Sequence, residues 1–98
     1  PRNFKHILFN NGAHDSVGGQ ATVGLTTDFC AIAKACNYAH VFLAQSKAEL
    51  EEGIKEFVRC DGPALLEIRI RKGFRQNLGR PTSMPVQNKR RLMAALQK

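Results

Sequence analysis

Apolar residues fall in short clusters along the chain, and their spacing changes from one cluster to the next. Ile7-Leu8-Phe9 are apolar at successive positions. Such a run suits a strand from Lys5 or His6 to Asn10, buried on both faces of a parallel sheet. Phe29, Ile32, Ala33 and Cys36 recur at i, i+3, i+4, i+7, which is one face of a helix. Thr26-Thr27-Asp28 offers oxygens to the first free N–H groups of that helix. Asn37 closes it, because Asn tolerates the left-handed conformation. Tyr38 to Ala44 then reads as a second strand, with His40 ahead of its apolar centre as a structural or surface residue. Ser46-Lys47-Ala48-Glu49 fits the S-x-x-E capping box of a second helix. Its stripe is Leu50, Ile54, Phe57 and Val58. Glu51, Glu52, Lys55 and Glu56 take the other faces and read as solvated, with Glu51 and Lys55 spaced for an i, i+4 pair. Asp61-Gly62-Pro63 breaks this helix. Ala64 to Ile70 is the third strand, and Glu67-Ile68-Arg69-Ile70 alternates as at a half-exposed edge.

The order strand, helix, strand, helix, strand predicts right-handed crossovers and a parallel sheet. The expected fold class is α/β, a three-layer parallel sheet with flanking helices. Residues 71–85 are basic and irregular, since Pro81 and Pro85 preclude a regular helix across them. Val86 to Lys98 reads as a last helix with Leu92, Met93 and Leu96 apolar. Residues 1–70 are expected to form the body and 71–98 a basic tail and helix of the same domain.

Length and charge sharpen this picture. Ninety-eight residues with 43% hydrophobic content make one small globular domain, or part of a larger one. No apolar run approaches the length needed to cross a bilayer, and no signal-peptide pattern is visible. Cys30, Cys36 and Cys60 are odd in number and lack CxxC spacing, so a disulfide framework or zinc site is not expected. Free cysteines suit a reducing cytoplasm. The net charge of +7 is unevenly spread. Residues 1–68 hold six Lys/Arg against eight Asp/Glu; residues 69–98 hold nine Lys/Arg and no acid.

The candidate chemistry lies between Asn10 and Gly24. The first strand stops at two amides, Asn10 and Asn11. Gly12, the pair His14-Asp15, Ser16 and the double glycine Gly18-Gly19 follow. A strand ending this way delivers polar groups to the rim of a sheet, where α/β folds bind ligands. Asn-Gly is also a hairpin signal, but Ala13 to Gly24 is polar and glycine-rich, with no alternating strand directly after it. The residues favour a ligand loop and leave its ligand open.

Asn10-Asn11-Gly12 after an apolar strand resembles the closing half of the thiamine diphosphate motif, which opens with Gly-Asp-Gly. More closely, the run Asn10-Asn11-Gly12-x-His14-x-Ser16-x-Gly18-Gly19-Gln20 is similar to the phosphonopyruvate and sulfopyruvate decarboxylase family. Gly62-Pro63-Ala64-Leu65-Leu66-Glu67 and Leu78-Gly79-Arg80-Pro81-Thr82 agree with that resemblance, which covers nearly the whole chain. It implies part of a pyrophosphate-binding domain with thiamine diphosphate and magnesium as cofactors. It implies Asn11 and the Ala13 carbonyl as metal ligands, Asn11, Gly12, Ala13 and His14 as cofactor contacts, and His14 as the catalytic candidate. The implied reaction takes 3-phosphonopyruvate to phosphonoacetaldehyde and carbon dioxide; sulfopyruvate or another 2-oxo acid is the alternative substrate. No Gly-Asp-Gly occurs here, and the cofactor-activating glutamate belongs to another domain. The implied partners are therefore the rest of the enzyme and further copies in a homo-oligomer. The chain alone is expected to be inactive.

Two other classes compete. The basic last third would suit a nucleic-acid-binding module, but Phe74 is its only aromatic residue, so base stacking has little support. A structural or oligomerisation domain accounts for the fold but not for the polar glycine loop. The tail itself has two readings: Arg71, Arg75 or Arg80 attracting an anionic phosphonate, or packing on a partner through Phe74, Leu78 and Met84.

Overall fold

The computed structural model describes residues 1–97. Three parallel strands, β1 (Lys5–Asn10), β4 (His40–Ala44) and β5 (Ala64–Arg69), form one sheet in the order β1-β5-β4. A two-residue pair, β2 (Ala13–His14) and β3 (Gln20–Ala21), lies antiparallel within the loop after β1. Helices α1 (Phe29–Ala35) and α2 (Lys47–Arg59) connect the sheet strands, and α3 (Pro85–Leu96) follows the tail. The expected three-layer α/β arrangement is the observed one.

The two crossovers run in opposite directions across the sheet, so equal handedness puts their helices on opposite faces. Register agrees. Side chains on one strand alternate between faces, and Leu66 pairs with Ile7 and Phe42. Ala44, Phe57, Ala64, Leu66 and Ile68 form the buried core on the α2 side, with Leu50, Phe42 and Cys60 against it. On the other side Leu8 and Leu65 line a hollow of about 190 Å³ together with Phe29, Ile32 and Ala33 of α1. Full burial of a side chain such as Leu66 stabilises by about 1.5–3 kcal/mol.

Local signals hold at the helix ends. Asp28 caps α1 by accepting from Ala31 N–H at 2.8 Å, and Asn37 stands at φ 62° beyond it. Ser46 and Glu49 complete the capping box of α2. Lys5 reaches from β1 to the last turn of α2, donating to the Phe57 carbonyl at 2.5 Å and to that of Cys60. A cation there also suits the helix dipole.

Four expectations are corrected. First, β5 is the central strand, not a half-exposed edge, and Glu67 is 1% exposed. Second, β1 is an edge strand that α2 does not cover, so Ile7 and Phe9 are 42% and 65% exposed. Third, the buried seam of α2 runs through Leu50, Gly53, Phe57 and Cys60. Ile54 and Val58 lie on its exposed flank, and the ion pair of this helix is Lys47–Glu51, at 3.6 Å, rather than Glu51–Lys55. Fourth, the second strand begins at His40, the third ends at Arg69, and the last helix begins at Pro85. Proline at the first helical position lacks only an N–H that would be unpaired anyway. The expected end of that helix at Lys98 lies outside the described residues.

Candidate functional site

The site is a turn at the carboxyl end of β1. Asn10 is buried there, with both ends of its amide engaged. Its Nδ2 donates to the Gly24 carbonyl at 2.6 Å and to Glu67 Oε1 at 2.7 Å. Its Oδ1 accepts from Gly12 N–H at 3.1 Å. With Oε1 of the carboxylate as acceptor, Nδ2 must face Glu67, so Oδ1 is left facing Gly12. Gly12 stands at φ +64°, and a Cβ on it would lie 2.6 Å from Leu25 Cγ. Only glycine meets both conditions without strain. Gly24 is closed in the same way, since its Cβ would lie 2.8 Å from Asn10 Oδ1.

Glu67 is the anchor of this arrangement. Arg69 Nε comes within 2.8 Å of its Oε1, without the alignment of a hydrogen bond. Arg69 also donates to the Leu25 carbonyl at 3.2 Å. A buried carboxylate needs such partners to remain charged. On the α1 side Cys30 Sγ lies 3.8 Å from Oε2. Burial first, and then the Glu67 charge, push the Cys30 thiol above its ordinary range. All three cysteines are free thiols.

Asn11 sits half-buried on the outer side of the turn. Its Oδ1 accepts from Ala13 N–H at 3.0 Å, and its Nδ2 donates to Asp15 Oδ2 at 3.2 Å. An amide oxygen has two acceptor sites, and Ala13 takes one. Asn11, Gly12, Ala13 and His14 thus share one turn, with His14 exposed. The structure also folds the tail onto this turn. Gly73 N–H donates to Asp15 Oδ2 at 2.6 Å, and Lys72 Nζ donates to the Gly19 carbonyl at 3.1 Å. A cavity of about 530 Å³ lies between them, lined by Asp15, Ser16, Gln76 and Arg80 among others. A hollow of about 570 Å³ between β4 and α2 carries Glu49, Glu52 and Glu56 and no part of the turn. Its acids suit solvent rather than an anionic ligand.

Among the described residues, no group of three or more His, Cys, Asp or Glu could hold a metal ion. No helix there is long and apolar enough to cross a membrane. What the turn offers a cation is an amide oxygen and backbone carbonyls. Those are hard oxygen donors, the type magnesium takes, so the turn fits as part of a magnesium site.

The profile described as "Thiamine pyrophosphate enzyme, C-terminal TPP binding domain" matches residues 2–68. The chain belongs to this family. Two curated relatives, both named phosphonopyruvate decarboxylase, are 38% identical to it. The one from Streptomyces viridochromogenes aligns over 96% of this chain and 24% of its own length. The one from Streptomyces hygroscopicus aligns over 93% and 23%. The chain thus spans about a quarter of the length of these relatives. No solved structure matched it. As a thiamine pyrophosphate-binding domain, it carries its paired asparagines at the end of the first strand that the profile covers.

Two residues of the site escaped the sequence reading. Asn10 was legible as one of a pair but not as the buried strut. Glu67 was read as an edge residue. The available signal was an acid between Leu66 and Ile68 in an otherwise apolar strand, a placement that needs a buried partner.

Proposed function

We propose that the chain is part of a thiamine diphosphate- and magnesium-dependent decarboxylase that converts 3-phosphonopyruvate to phosphonoacetaldehyde and carbon dioxide. Family membership supports the cofactor, and the name shared by both relatives supports the substrate. The observation that carries the reading is the locked turn. Glu67 and Asn10 fix Gly12, and Gly12 sets Asn11 and Ala13 side by side.

In this reading the Asn11 amide oxygen and the Ala13 carbonyl would hold magnesium, whose charge would offset that of the cofactor's diphosphate. The bound cofactor supplies the electron sink for loss of carbon dioxide. The chain's own residues bind and orient. Gly12 keeps the turn tight, because its positive φ and the Leu25 side chain leave no room for a Cβ. Asp15 steadies Asn11 from the far side of the turn. In this reading His14, exposed on the rim, would hold or deliver the proton that replaces the departing carboxylate. Imidazole suits that role because one ring nitrogen can donate a proton while the other accepts one.

The test is Asn11→Ala in the complete enzyme, with decarboxylation followed as magnesium is titrated. The magnesium concentration for half-maximal activity is expected to rise at least about tenfold, the lower bound seen even for outer-shell partners of a metal. An unchanged magnesium dependence would remove Asn11 from the metal site.

A further inference from the structure

We propose that the cavity between the Asp15–Ser16 turn and the returning tail is a binding site for a tetrahedral phosphonate or phosphate dianion. Arg80 is its cation, and Ser16 and Gln76 are its neutral donors. This rests on the reaction proposed above and names where its substrate's phosphonate is held.

The cavity, about 530 Å³, is within the range of small-ligand sites. Of the three tail arginines weighed from the sequence, only Arg80 lines it. A guanidinium presents a planar fork of N–H donors that matches two oxygens of a phosphonate at once. A serine hydroxyl and a glutamine amide each add a donor. Among the described residues Asp15 is the one acid of the lining, against the one cation Arg80. Its Oδ2 faces the chain rather than a ligand, accepting from Gly73 N–H at 2.6 Å and from Asn11 Nδ2 at 3.2 Å. Asp15 therefore pins the tail to the loop. Lys72 pins it again at the Gly19 carbonyl. Two anchors across more than fifty residues of chain hold the walls in register. Phe74 and Leu78 complete the lining, both open to solvent. The excess of Lys and Arg beyond residue 68 raises the local concentration of anions around this mouth.

The substrate's phosphonate and the cofactor's diphosphate share this chemistry, and the test separates them. In the complete enzyme, Arg80→Ala, Arg80→Lys and Gln76→Leu would be compared with wild type. Methylphosphonate binding would be read by phosphorus NMR titration, thiamine diphosphate binding by calorimetry with magnesium, and turnover by KM. Arg80→Ala is expected to weaken methylphosphonate binding and raise KM for 3-phosphonopyruvate by about tenfold to a hundredfold, as for a lost charge-assisted hydrogen bond. Lysine should restore part of the loss. Gln76→Leu should cost less, and thiamine diphosphate affinity should stay unchanged. Loss of thiamine diphosphate affinity with methylphosphonate binding intact would support a dianion site that belongs to the cofactor. No change in either affinity would overturn the site. Wild-type enzyme that binds methylphosphonate but does not decarboxylate 3-phosphonopyruvate would overturn the reaction and leave the site standing.

Discussion

Glu67 shows how much one side chain can organise. Its carboxylate is buried in the central strand, and it meets Asn10 and Arg69 at 2.7 and 2.8 Å. Removing one partner of a buried ion pair leaves the other without compensation, at a cost of about 3–5 kcal/mol. Glu67→Ala is therefore expected to destabilise the chain by that amount in urea unfolding. Glu67→Gln keeps an oxygen for Asn10 and should lose less. Equal stability of all three proteins would mean that the cluster does not hold the turn. None of this was legible locally. The Glu67-Ile68-Arg69-Ile70 alternation is genuine, but it signals an exposed face only for a strand at a sheet edge. That β5 lies between β1 and β4 is decided by strands more than twenty residues away.

At the scale of elements, what depends on a few neighbouring residues was readable. Asp28, Asn37 and the Ser46–Glu49 box stand where their spacing put them, because capping is a contact between residues three apart. Ser46→Ala removes the acceptor for Glu49 N–H, a bond of 3.3 Å. It is expected to cost about 1 kcal/mol, visible as a lower urea midpoint with an unchanged slope. No shift would mean that Glu49, which also accepts from Gln45 N–H at 2.7 Å, carries the cap by itself. The loop after β1 was legible in character but not in shape. Its glycines announced turns, and three of them, Gly12, Gly18 and Gly19, do stand at positive φ. The β2–β3 pair and the tail's return to Asp15 were not readable, because their partners are set by tertiary contacts rather than by pattern.

Across the whole molecule, charge and chemistry divide unevenly. The sheet carries the turn, the tail carries the cations, and every described residue of α3 is exposed. In the proposed reading Asn11 and Ala13 would bring two oxygens to a magnesium ion that takes about six. Among the described residues, no acid cluster supplies the others. A divalent ion held by one amide and one carbonyl would keep most of its water, and would add little to diphosphate binding over what it does in solution. The 98-residue chain is therefore expected to release no measurable binding heat with thiamine diphosphate and magnesium, and to show no decarboxylation. Joined to an upstream segment that carries the Gly-Asp-Gly aspartate, it should bind both together, and neither well without the other, since each completes the other's coordination. Tight binding by the 98 residues alone would mean that the tail's cations, not the turn, hold the diphosphate. In that case the affinity would fall steeply with added salt, because screening between exposed charges grows as the Debye length shrinks from about 10 Å at 0.1 M. A metal-bridged diphosphate would be far less sensitive, so one salt series would tell the two modes apart.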